Sequence, residues 1–414
     1  MSDLRIERRL RPILLEALRE SRAVALLGAR QVGKSTLARS IAAHEHPARF
    51  VTLDVEATAT AARTDPQGFV AALPGSVVID EIQRAPNLLL AIKERLDRDP
   101  ARGQFLLTGS ADLLTLPTVA DALPGRIDYV QLWPLAQAEL HGGDGRFVDA
   151  LFENDLPQLS DAPIGRGPLA ALLATGGFPE LLEVRSARGS ARFFSSYVAS
   201  IIGRDLEDVA DVHDPGNVER LLYAIAARAG ALATFHGLAT DLGVDAKTAR
   251  AHTEILERLF LVRRLQSWHV NVGPRQVKSP KLHVADSGLL AFLRGADEQR
   301  IADDPEVAGP LLESFAAMEL VRLNDWSQQP AQLFHYRDQK QGEVDVVLER
   351  RSGEVAGVEV KAAATVSAAD FRGLRNLRDR LGDRFTAGVV LYTGAATLPF
   401  GDRLTAVPVS GLWS

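Results

Sequence analysis

The amino-acid sequence predicts an α/β protein: a parallel sheet with helices on both faces, then a helical region, then a second α/β domain. The first third of the chain alternates short apolar, β-rich runs with helical patterns, which is typical of a parallel sheet. Residues 169–230 and 235–262 lose the strand pattern and are predicted to be helical, whereas residues 310–410 return to a mixed pattern. A chain of 414 residues is long for one hydrophobic core, which favours two or three domains.

The elements of the first domain follow from local patterns. A short amphipathic helix is predicted from Pro12, because Leu14 and Leu18 fall on one face. Apolar runs then predict strands at residues 23–27, 49–53, 76–79, 104–108 and 127–132. Helical patterns separate these strands, as a parallel sheet requires.

Composition excludes several classes of protein. Apolar residues make up 46% of the chain and charged residues 24%, as in ordinary globular proteins. Cysteine is absent, which excludes disulfides and thiolate metal sites. No apolar run approaches the roughly 18 residues of a membrane span, and the N-terminus lacks the apolar core of a signal peptide. A cytoplasmic protein with no membrane partner is therefore expected.

Residues 28–36 read GARQVGKST and match the phosphate-loop pattern G-x-x-x-x-G-K-[ST]. An apolar strand precedes this segment and a helical pattern follows it, which is the context that a real phosphate loop needs. Glycines let backbone N–H groups surround phosphates, while lysine reaches the β- and γ-phosphates and serine ligates Mg²⁺. The alternative is a glycine-rich turn that binds nothing. The motif predicts ATP and Mg²⁺ as cofactors, with candidate binding residues Gly28, Gly33, Lys34, Ser35 and Thr36.

A second motif, Val77–Glu81, is a buried strand that ends in two carboxylates. We expect Asp80 to hold Mg²⁺ through its water shell and Glu81 to polarise the attacking water, because phosphoryl transfer needs positioning and charge stabilisation. An apolar run ending in Asp-Glu is a weak signal by itself. Its position about 45 residues after the phosphate loop makes it much stronger.

Two further residues are candidates for catalysis. Ser110 follows the next strand, where a polar side chain can orient water or sense the γ-phosphate, although a simple turn is an equal alternative. Arg126 follows a predicted turn and can act as an arginine finger, in cis or from a neighbouring subunit. A solvated arginine is the alternative.

These motifs resemble, in order, those of a group of prokaryotic AAA-type ATPases that carry a C-terminal domain of unknown function. The similar segments are GARQVGKST, VVIDEIQRAP, FLLTGSADLL, LPGRI, LWPL, GGFPE, HVADSGLLAFL and GVEVK, which span nearly the whole chain. The resemblance implies a P-loop NTPase sheet with the sensing strand between the two phosphate-site strands. It also implies that Gly177 and Pro179 belong to a lid over the nucleotide and that Arg204 reaches a phosphate.

Residues 216–285 predict a basic winged helix. They hold ten Lys/Arg and five Asp/Glu, although the whole chain has a net charge of −6. Three helices are expected, Asn217–Ala229, Phe235–Leu242 with Thr234 as N-cap, and one capped by Asp245 that runs to about Leu261. The third would present its first turns to DNA through Lys247, Thr248, Arg250 and His252. A β-hairpin wing at 263–283 would add Arg263, Arg264, Arg275, Lys278 and Lys281, with Trp268 and Pro274. The alternatives are a helical lid with an ordinary solvated face and a protein-interaction module.

Near the C-terminus, four residues resemble the site of the PD-(D/E)xK nuclease superfamily. Glu313 lies in a predicted helix, Asp345 in a strand, and Glu359 and Lys361 on one face of the next strand. Asp345 and Glu359 would bind Mg²⁺ with help from Glu313, and Lys361 would orient or deprotonate the attacking water. The sequence departs from the pattern because no proline precedes Asp345. Neighbouring Glu343 is expected to be an exposed strand residue. The alternative is the same fold without activity, used as a binding platform.

The sequence thus predicts four segments: an ATPase core at 1–140, a linker and helical lid at 141–215, a winged-helix segment at 216–285, and a restriction-endonuclease-like α/β domain at 286–414. One hypothesis is an ATP-hydrolysing, DNA-directed enzyme with Mg²⁺-dependent nuclease capacity. The other is a nucleotide-controlled switch whose nuclease-like domain binds without cleaving. A homo-oligomer is required if Arg126 or Arg204 acts in trans.

Overall fold

The computed structural model describes residues 6–111, 125–160, 163–184, 186–210, 212, 214–269, 279–338 and 342–414. The chain forms two compact units. The first comprises residues 1–134, 196–216 and 254–261, and the second comprises residues 135–195, 217–253 and 262–414. The division of the chain into four functional segments remains a prediction.

The first unit is built on a five-stranded parallel sheet with the order β2-β3-β4-β1-β5. Strand β4 pairs with both β1 and β3, so one strand separates the two that carry the phosphate-site motifs. The predicted α/β class and parallel sheet are confirmed. The strands are β1 (Ala23–Leu27), β2 (Arg49–Thr52), β3 (Val77–Asp80), β4 (Phe105–Gly109) and β5 (Ile127–Gln131).

Helices precede and connect these strands. The predicted N-terminal amphipathic helix is present and buries Leu14, Ala17 and Leu18, which share one face. The helices are α1 (Arg11–Glu20), α2 (Lys34–His44), α3 (Glu56–Thr64), α4 (Pro66–Ala71) and α5 (Leu88–Arg98), with a 3₁₀ turn at Ile82–Arg84.

The middle of the chain is helical, as predicted. Thr234 caps one helix by accepting a hydrogen bond from the Gly237 amide at 3.2 Å, and Asp245 caps the next by accepting from the Thr248 amide at 2.8 Å. The helices are α6 (Gln137–His141), α7 (Phe147–Glu153), α8 (Arg166–Thr175), α9 (Ala187–Ser200), α10 (Leu206–Val209), α11 (Pro215–Ala227), α12 (Phe235–Leu242) and α13 (Ala246–Arg258), with 3₁₀ and π segments at Pro179–Glu183 and Ile201–Asp205.

The second unit contains a mixed eight-stranded sheet with the order β12-β13-β11-β10-β9-β8-β6-β7. Its predicted sequence of helix, three strands, helix and strand is confirmed. The strands are β6 (Val262–Ser267), β7 (Lys281–Val284), β8 (Gln332–Asp338), β9 (Gly342–Glu349), β10 (Val355–Lys361), β11 (Phe385–Tyr392), β12 (Leu398–Pro399) and β13 (Leu404–Pro408).

The remaining helices belong to this unit. Helix α17 packs three leucines, spaced for one face, into a core with the aromatic rings of Phe371 and Phe385. The helices are α14 (Ser287–Leu293), α15 (Glu298–Asp303), α16 (Pro305–Asp325) and α17 (Arg372–Leu381), with 3₁₀ turns at Ala368–Phe371, Gly382–Arg384 and Val409–Leu412. None of the helices in the described part of the chain is long and apolar enough to cross a membrane.

The predicted wing has a second pairing partner. Strands β6 and β7 form the expected antiparallel pair, but β6 also pairs in parallel with β8. Trp268, expected in the wing, is fully buried in the core of the second unit. The hairpin is therefore part of the larger sheet. Pro274, Arg275 and Lys278 lie outside the described residues.

Candidate nucleotide site and acidic cluster

The phosphate loop connects β1 to the start of α2, and two glycines shape it. A Cβ atom at Gly28 would lie 2.1 Å from the backbone oxygen of Leu132, so no larger side chain fits there. Gly33 has a φ of 96°, in the left-handed region that glycine adopts without strain. The shape of the backbone therefore explains why glycine occupies positions 28 and 33 of the motif. Thr36 follows in the first turn of α2.

Lys34 is buried beneath this loop. Its Nζ donates to the backbone oxygens of Gly28 at 2.9 Å and Ala29 at 2.8 Å. Burial lowers the pKa of Lys34 to about 8, although the Glu81 and Asp80 carboxylates act in the opposite direction. The lysine is thus oriented towards the loop interior, where phosphate oxygens are stronger acceptors than these carbonyls.

Asp80 lies at the end of β3 and accepts three hydroxyl hydrogen bonds. They come from Ser35 at 2.7 Å, Thr108 at 2.5 Å and Thr52 at 3.2 Å. The structure therefore brings together the predicted Mg²⁺ residues from α2 and β3. A serine hydroxyl and a carboxylate are the hard oxygen donors that Mg²⁺ takes from proteins beside substrate phosphates. These residues fit a nucleotide-bound Mg²⁺.

Glu81 has a left-handed backbone, with φ 59° and ψ 49°, and follows β3 directly. Its carboxylate accepts a hydrogen bond from the Gln83 amide, and its own amide donates to Thr108 Oγ1 at 3.2 Å. Gln83 also donates to Ser110 Oγ at 2.9 Å. Ser110 is therefore beside Glu81, and its role in orienting water or sensing the γ-phosphate stays a prediction. Sequence reasoning missed Gln83, because nothing distinguishes this glutamine from the surface residues that follow many strands.

Two other contacts to the phosphate loop were not predicted. Arg8 donates to the backbone oxygens of Val32 and Trp133, each at 2.7 Å. Arg30, inside the loop, forms an ion pair with Asp205 at 2.6 Å. Burial raises the pKa of Asp205, and the Arg30 charge opposes that shift. These contacts could not be predicted from sequence spacing. Arg8 and Trp133 are 125 positions apart in the chain, and Arg30 and Asp205 are 175 positions apart.

Arg126 lies away from the phosphate loop, whereas a phosphate contact by Arg204 stays a prediction. Arg204 is exposed, and it is the next residue, Asp205, that contacts the loop. Arg126 precedes β5 and binds Asp97 at 2.5 Å. Because β1 and β5 are parallel, six residue steps separate this end of the sheet from the phosphate loop, or about 20 Å. From this position Arg126 cannot act in cis, which corrects that prediction; action in trans stays a prediction.

Gly177 and Pro179, which were predicted to belong to a lid, lie in the second unit. The Gly177 amide donates to Asp286 Oδ2 at 2.7 Å, and the Gly177 oxygen accepts from the Leu135 amide at 2.7 Å. A Cβ at Gly177 would lie 2.2 Å from the Leu135 oxygen. Close backbone packing thus explains this glycine, and its role with Pro179 over a nucleotide remains a prediction.

Helix α13 presents a basic surface. Lys247 and Arg250 are exposed, and Thr248 and His252 are half-buried. The guanidinium of Arg250 lies 4.7 Å from the ring centroid of Phe235, and that of Arg264 lies 5.4 Å from the same ring. We call Lys247 and Arg250 of α13, together with the half-buried Arg264 of β6, the basic surface. Half-buried Arg263 is next to it in sequence.

Lys281 does not belong to that surface, which corrects the sequence prediction. Its side chain is 1% exposed and lies among carboxylates of the C-terminal region. Nζ donates to Glu313 at 2.7 Å and to Asp345 at 2.9 Å, and it pairs with Glu343 at 2.7 Å. Glu343 was expected to be an exposed strand residue but is half-buried because it shares this lysine.

The other half of the predicted nuclease site is adjacent. Lys361 Nζ donates to Glu359 Oε1 at 2.8 Å, and the Val360 amide donates to Asp345 Oδ2 at 2.9 Å. Burial and the nearby Asp345 charge raise the pKa of Glu359 to about 8 and that of Glu313 to about 7. We call Glu313, Glu343, Asp345 and Glu359 the acidic cluster. The four residues predicted for the nuclease-like site, Glu313, Asp345, Glu359 and Lys361, therefore all lie in or beside this cluster.

The acidic cluster does not fit a divalent metal ion as the side chains stand. The ammonium of Lys281 is already paired with three carboxylates of the cluster. The second carboxylate oxygen of Asp345 accepts a hydrogen bond from a backbone amide. Among the residues that the structure describes, no group of three or more His, Asp or Glu is arranged to hold a metal ion.

Comparison with known proteins agrees with the first unit. A family model described as an AAA domain matches residues 20–141. Two models described as domains of unknown function match residues 167–300 and 308–412. With the strand order and the phosphate loop, this match defines the class as an AAA-type P-loop ATPase, a class that binds and hydrolyses ATP.

Two curated relatives cover almost the whole chain. They are uncharacterized proteins of Mycobacterium tuberculosis and Mycobacterium bovis, each 30% identical over 397 residues, which is 95% of this chain and 82% of the relative. The chain belongs to the same family as these two mycobacterial proteins.

Solved structures show weaker likeness. The RuvB Holliday junction branch migration motor of Thermotoga maritima is 19% identical, with a TM-score of 0.29 over 63% of this chain and 90% of its own. Drosophila ORC bound to AT-rich DNA and Cdc6 is 12% identical, with a TM-score of 0.20 over 69% of this chain and 89% of the other. Scores of this size carry no functional inference.

Proposed function

We propose that this protein is an ATP-hydrolysing switch that engages DNA through the basic surface of α13. The observation that carries the proposal is the convergence of Lys34, Ser35, Asp80 and Glu81 on the phosphate loop. Lys34 would hold the β- and γ-phosphates in place of the loop carbonyls, while Ser35 and Asp80 would hold Mg²⁺. Bound Mg²⁺ would neutralise charge that develops on the phosphates.

Glu81 is the proposed base that orients the attacking water. In the structure its carboxylate is held by Gln83 and lies 3.4 Å from the Ser110 hydroxyl. A carboxylate that accepts these bonds has fewer lone pairs free for water. We therefore propose that hydrolysis requires Glu81 to exchange Gln83 for water, which makes Gln83 a positioning residue.

Nucleotide binding and hydrolysis are separable by two substitutions. Lys34→Ala should abolish ATP binding, because it removes the buried charge that faces the phosphates. Glu81→Gln should retain ATP binding but lower the rate of hydrolysis by about 100-fold or more, the usual loss for a general base. Equilibrium binding of a fluorescent ATP analogue and steady-state phosphate release measure the two. Normal hydrolysis by Glu81→Gln would contradict the assignment.

DNA engagement is supported by exposed cations at the start of a capped helix, where recognition helices contact the major groove. The double variant Lys247→Glu/Arg250→Glu should weaken binding to duplex DNA and reduce the slope of log K against log salt by about 2, since each phosphate contact contributes about 0.9. Fluorescence anisotropy at several salt concentrations, with and without ATP, measures both quantities.

The matched control is Arg372→Glu/Arg380→Glu, which makes the same charge change at two exposed arginines of α17. It should leave the salt slope close to that of the wild type. Equal losses in both double variants, or binding that does not depend on salt, would contradict a DNA site on α13.

For the C-terminal domain we favour the non-cleaving alternative, a binding platform, over Mg²⁺-dependent cleavage. The specific observation is the position of Lys281 among the proposed metal ligands. Neither the wild type nor Lys361→Ala should nick supercoiled plasmid in the presence of Mg²⁺. Nicking by the wild type that is lost in Lys361→Ala would overturn this choice in favour of a nuclease.

A further inference from the structure

The acidic cluster contains a buried cation that belongs to the chain itself. Lys281 begins β7, its side chain is 1% exposed, and its Nζ lies 2.7 to 2.9 Å from carboxylate oxygens of Glu313, Glu343 and Asp345. These carboxylates come from α16 and β9, so the lysine joins three separate elements. A buried charge of this kind is tolerated only when it is well paired.

The lysine is charged in this position. Three carboxylate oxygens lie within 2.9 Å of Nζ, and nearby opposite charges favour the charged form of a lysine. An ammonium group therefore stands where the carboxylates meet, and each of its three donors has an oxygen within reach.

A divalent metal ion would compete with that ammonium for the same oxygens. Mg²⁺ binds carboxylate oxygens at about 2.1 Å, so an ion on Asp345 Oδ1 could be no more than about 5 Å from Nζ. Repulsion between two cations at that distance is poorly screened when both are buried. Occupation by a metal would require the lysine to leave its pocket.

The rest of the cluster is also engaged. Asp345 Oδ2 accepts from the Val360 amide, and Glu359 Oε1 accepts from Lys361. Lys281 and Lys361 together place a lysine Nζ 2.7 to 2.9 Å from each of the four carboxylates. Every carboxylate of the acidic cluster is therefore paired with a cation of the chain itself.

We infer that the Lys281 ammonium takes the place of a divalent metal ion in this acidic cluster, so that the C-terminal domain folds without a metal there. The inference is independent of the ATPase and DNA-binding roles. It concerns occupancy of the cluster, which metal titration measures without any assay of cleavage.

The test is a calorimetric titration of nucleotide-free protein with MnCl₂. Wild type and Asp345→Asn should give the same weak, nonspecific heats. Lys281→Met keeps the carboxylates and removes the cation, and it should bind one Mn²⁺ per chain at least about tenfold more tightly than the wild type. Adding Asp345→Asn to Lys281→Met should abolish that site.

Lys361→Met is the matched control. It removes the other lysine at the cluster, which is paired with one carboxylate and is 35% exposed, and leaves Lys281 in place. It should therefore create no Mn²⁺ site.

The titration of the wild type tests the inference even if Lys281→Met does not fold. One stoichiometric Mn²⁺ on the wild type that Asp345→Asn removes would overturn the inference. Identical titrations of these two proteins, with no change in the melting temperature of the wild type between EDTA and Mn²⁺, would support it.

Discussion

Gly28 shows how closely the phosphate loop is packed. Because a Cβ at this position would meet the Leu132 oxygen at 2.1 Å, Gly28→Ala should displace either the loop or β5. We expect a loss of ATP affinity and a loss of about 1–3 kcal/mol in the free energy of unfolding, as for other overpacked sites. Nucleotide titration and urea unfolding measure the two effects.

Gly167 provides the control, because a Cβ there has nothing within 4 Å. Gly167→Ala should leave nucleotide affinity unchanged. If Gly28→Ala binds ATP like the wild type, close packing against Leu132 is not the reason why the motif needs a glycine at position 28.

Motif residues were predictable because local backbone geometry sets their positions. Ser35, Asp80 and Glu81 lie where the strand–loop–helix pattern places them. Lys281 was misinterpreted as a surface cation for the opposite reason. Its burial depends on Glu313 and Asp345, which lie 32 and 64 residues away, and neither separation appears in a local pattern.

At the scale of elements, helix α16 depends on an internal ion pair. Glu319 is fully buried, accepts from Arg322 at 2.6 Å and from the Gln137 amide at 2.8 Å, and its pKa is raised by burial against the effect of Arg322. Arg322→Met leaves this carboxylate without its cation, which should cost about 3–5 kcal/mol in the free energy of unfolding. Urea unfolding measures the loss.

The double variant Arg322→Met/Glu319→Gln should recover much of that loss, because it removes the buried charge as well. Arg380→Met, at an exposed arginine of α17, should have little effect. A loss for Arg322→Met no larger than that of Arg380→Met would show that the pair contributes nothing to stability.

The types of these elements were predictable, but not all their pairings. Helix α16 and strands β8 to β11 follow from the order of helical and β-rich apolar runs, although α16 and strands β9 to β11 are buried along most of their length and not on one face alone. The parallel pairing of β6 with β8 does not follow from any local pattern, because Gln266 lies opposite Phe334, which is 68 positions later in the chain. The sequence predicted only a hairpin of β6 and β7, and the structure shows that this hairpin is joined to a larger sheet.

For the whole molecule, two buried histidines predict sensitivity to acid. Burial lowers the pKa of His283 to about 3 and that of His335 to about 4. Both stay neutral in the folded protein, whereas in the unfolded chain each is protonated near pH 6.5. The contribution of these two histidines to stability is therefore fully present above pH 6.5 and is lost below it, by up to about 1.4 kcal/mol per pH unit for each histidine until its folded-state pKa is reached, whereas the raised pKa values of Glu313 and Glu359 act in the opposite direction.

Urea unfolding at pH 7.5, 6.5 and 5.5, followed by circular dichroism, measures this slope. Between pH 6.5 and 5.5 the free energy of unfolding of His283→Gln should change less unfavourably than that of the wild type, whereas His44→Gln, at an exposed histidine, should behave like the wild type. Parallel slopes for the wild type and His283→Gln would contradict the prediction.

The division into two units is also a property of the whole chain. Residues 196–216 and 254–261 belong to the first unit because of long-range packing, which no local sequence pattern shows.

A lysine differs from a metal ion in one respect that matters in a cell: it cannot be removed. If Lys281 supplies the positive charge of the acidic cluster, the charge is synthesised with the chain at a fixed ratio of one to one. No chelator can extract it and no shortage of magnesium can empty its place. The second unit would then keep its structure under ionic conditions that leave the nucleotide site of the first without its metal.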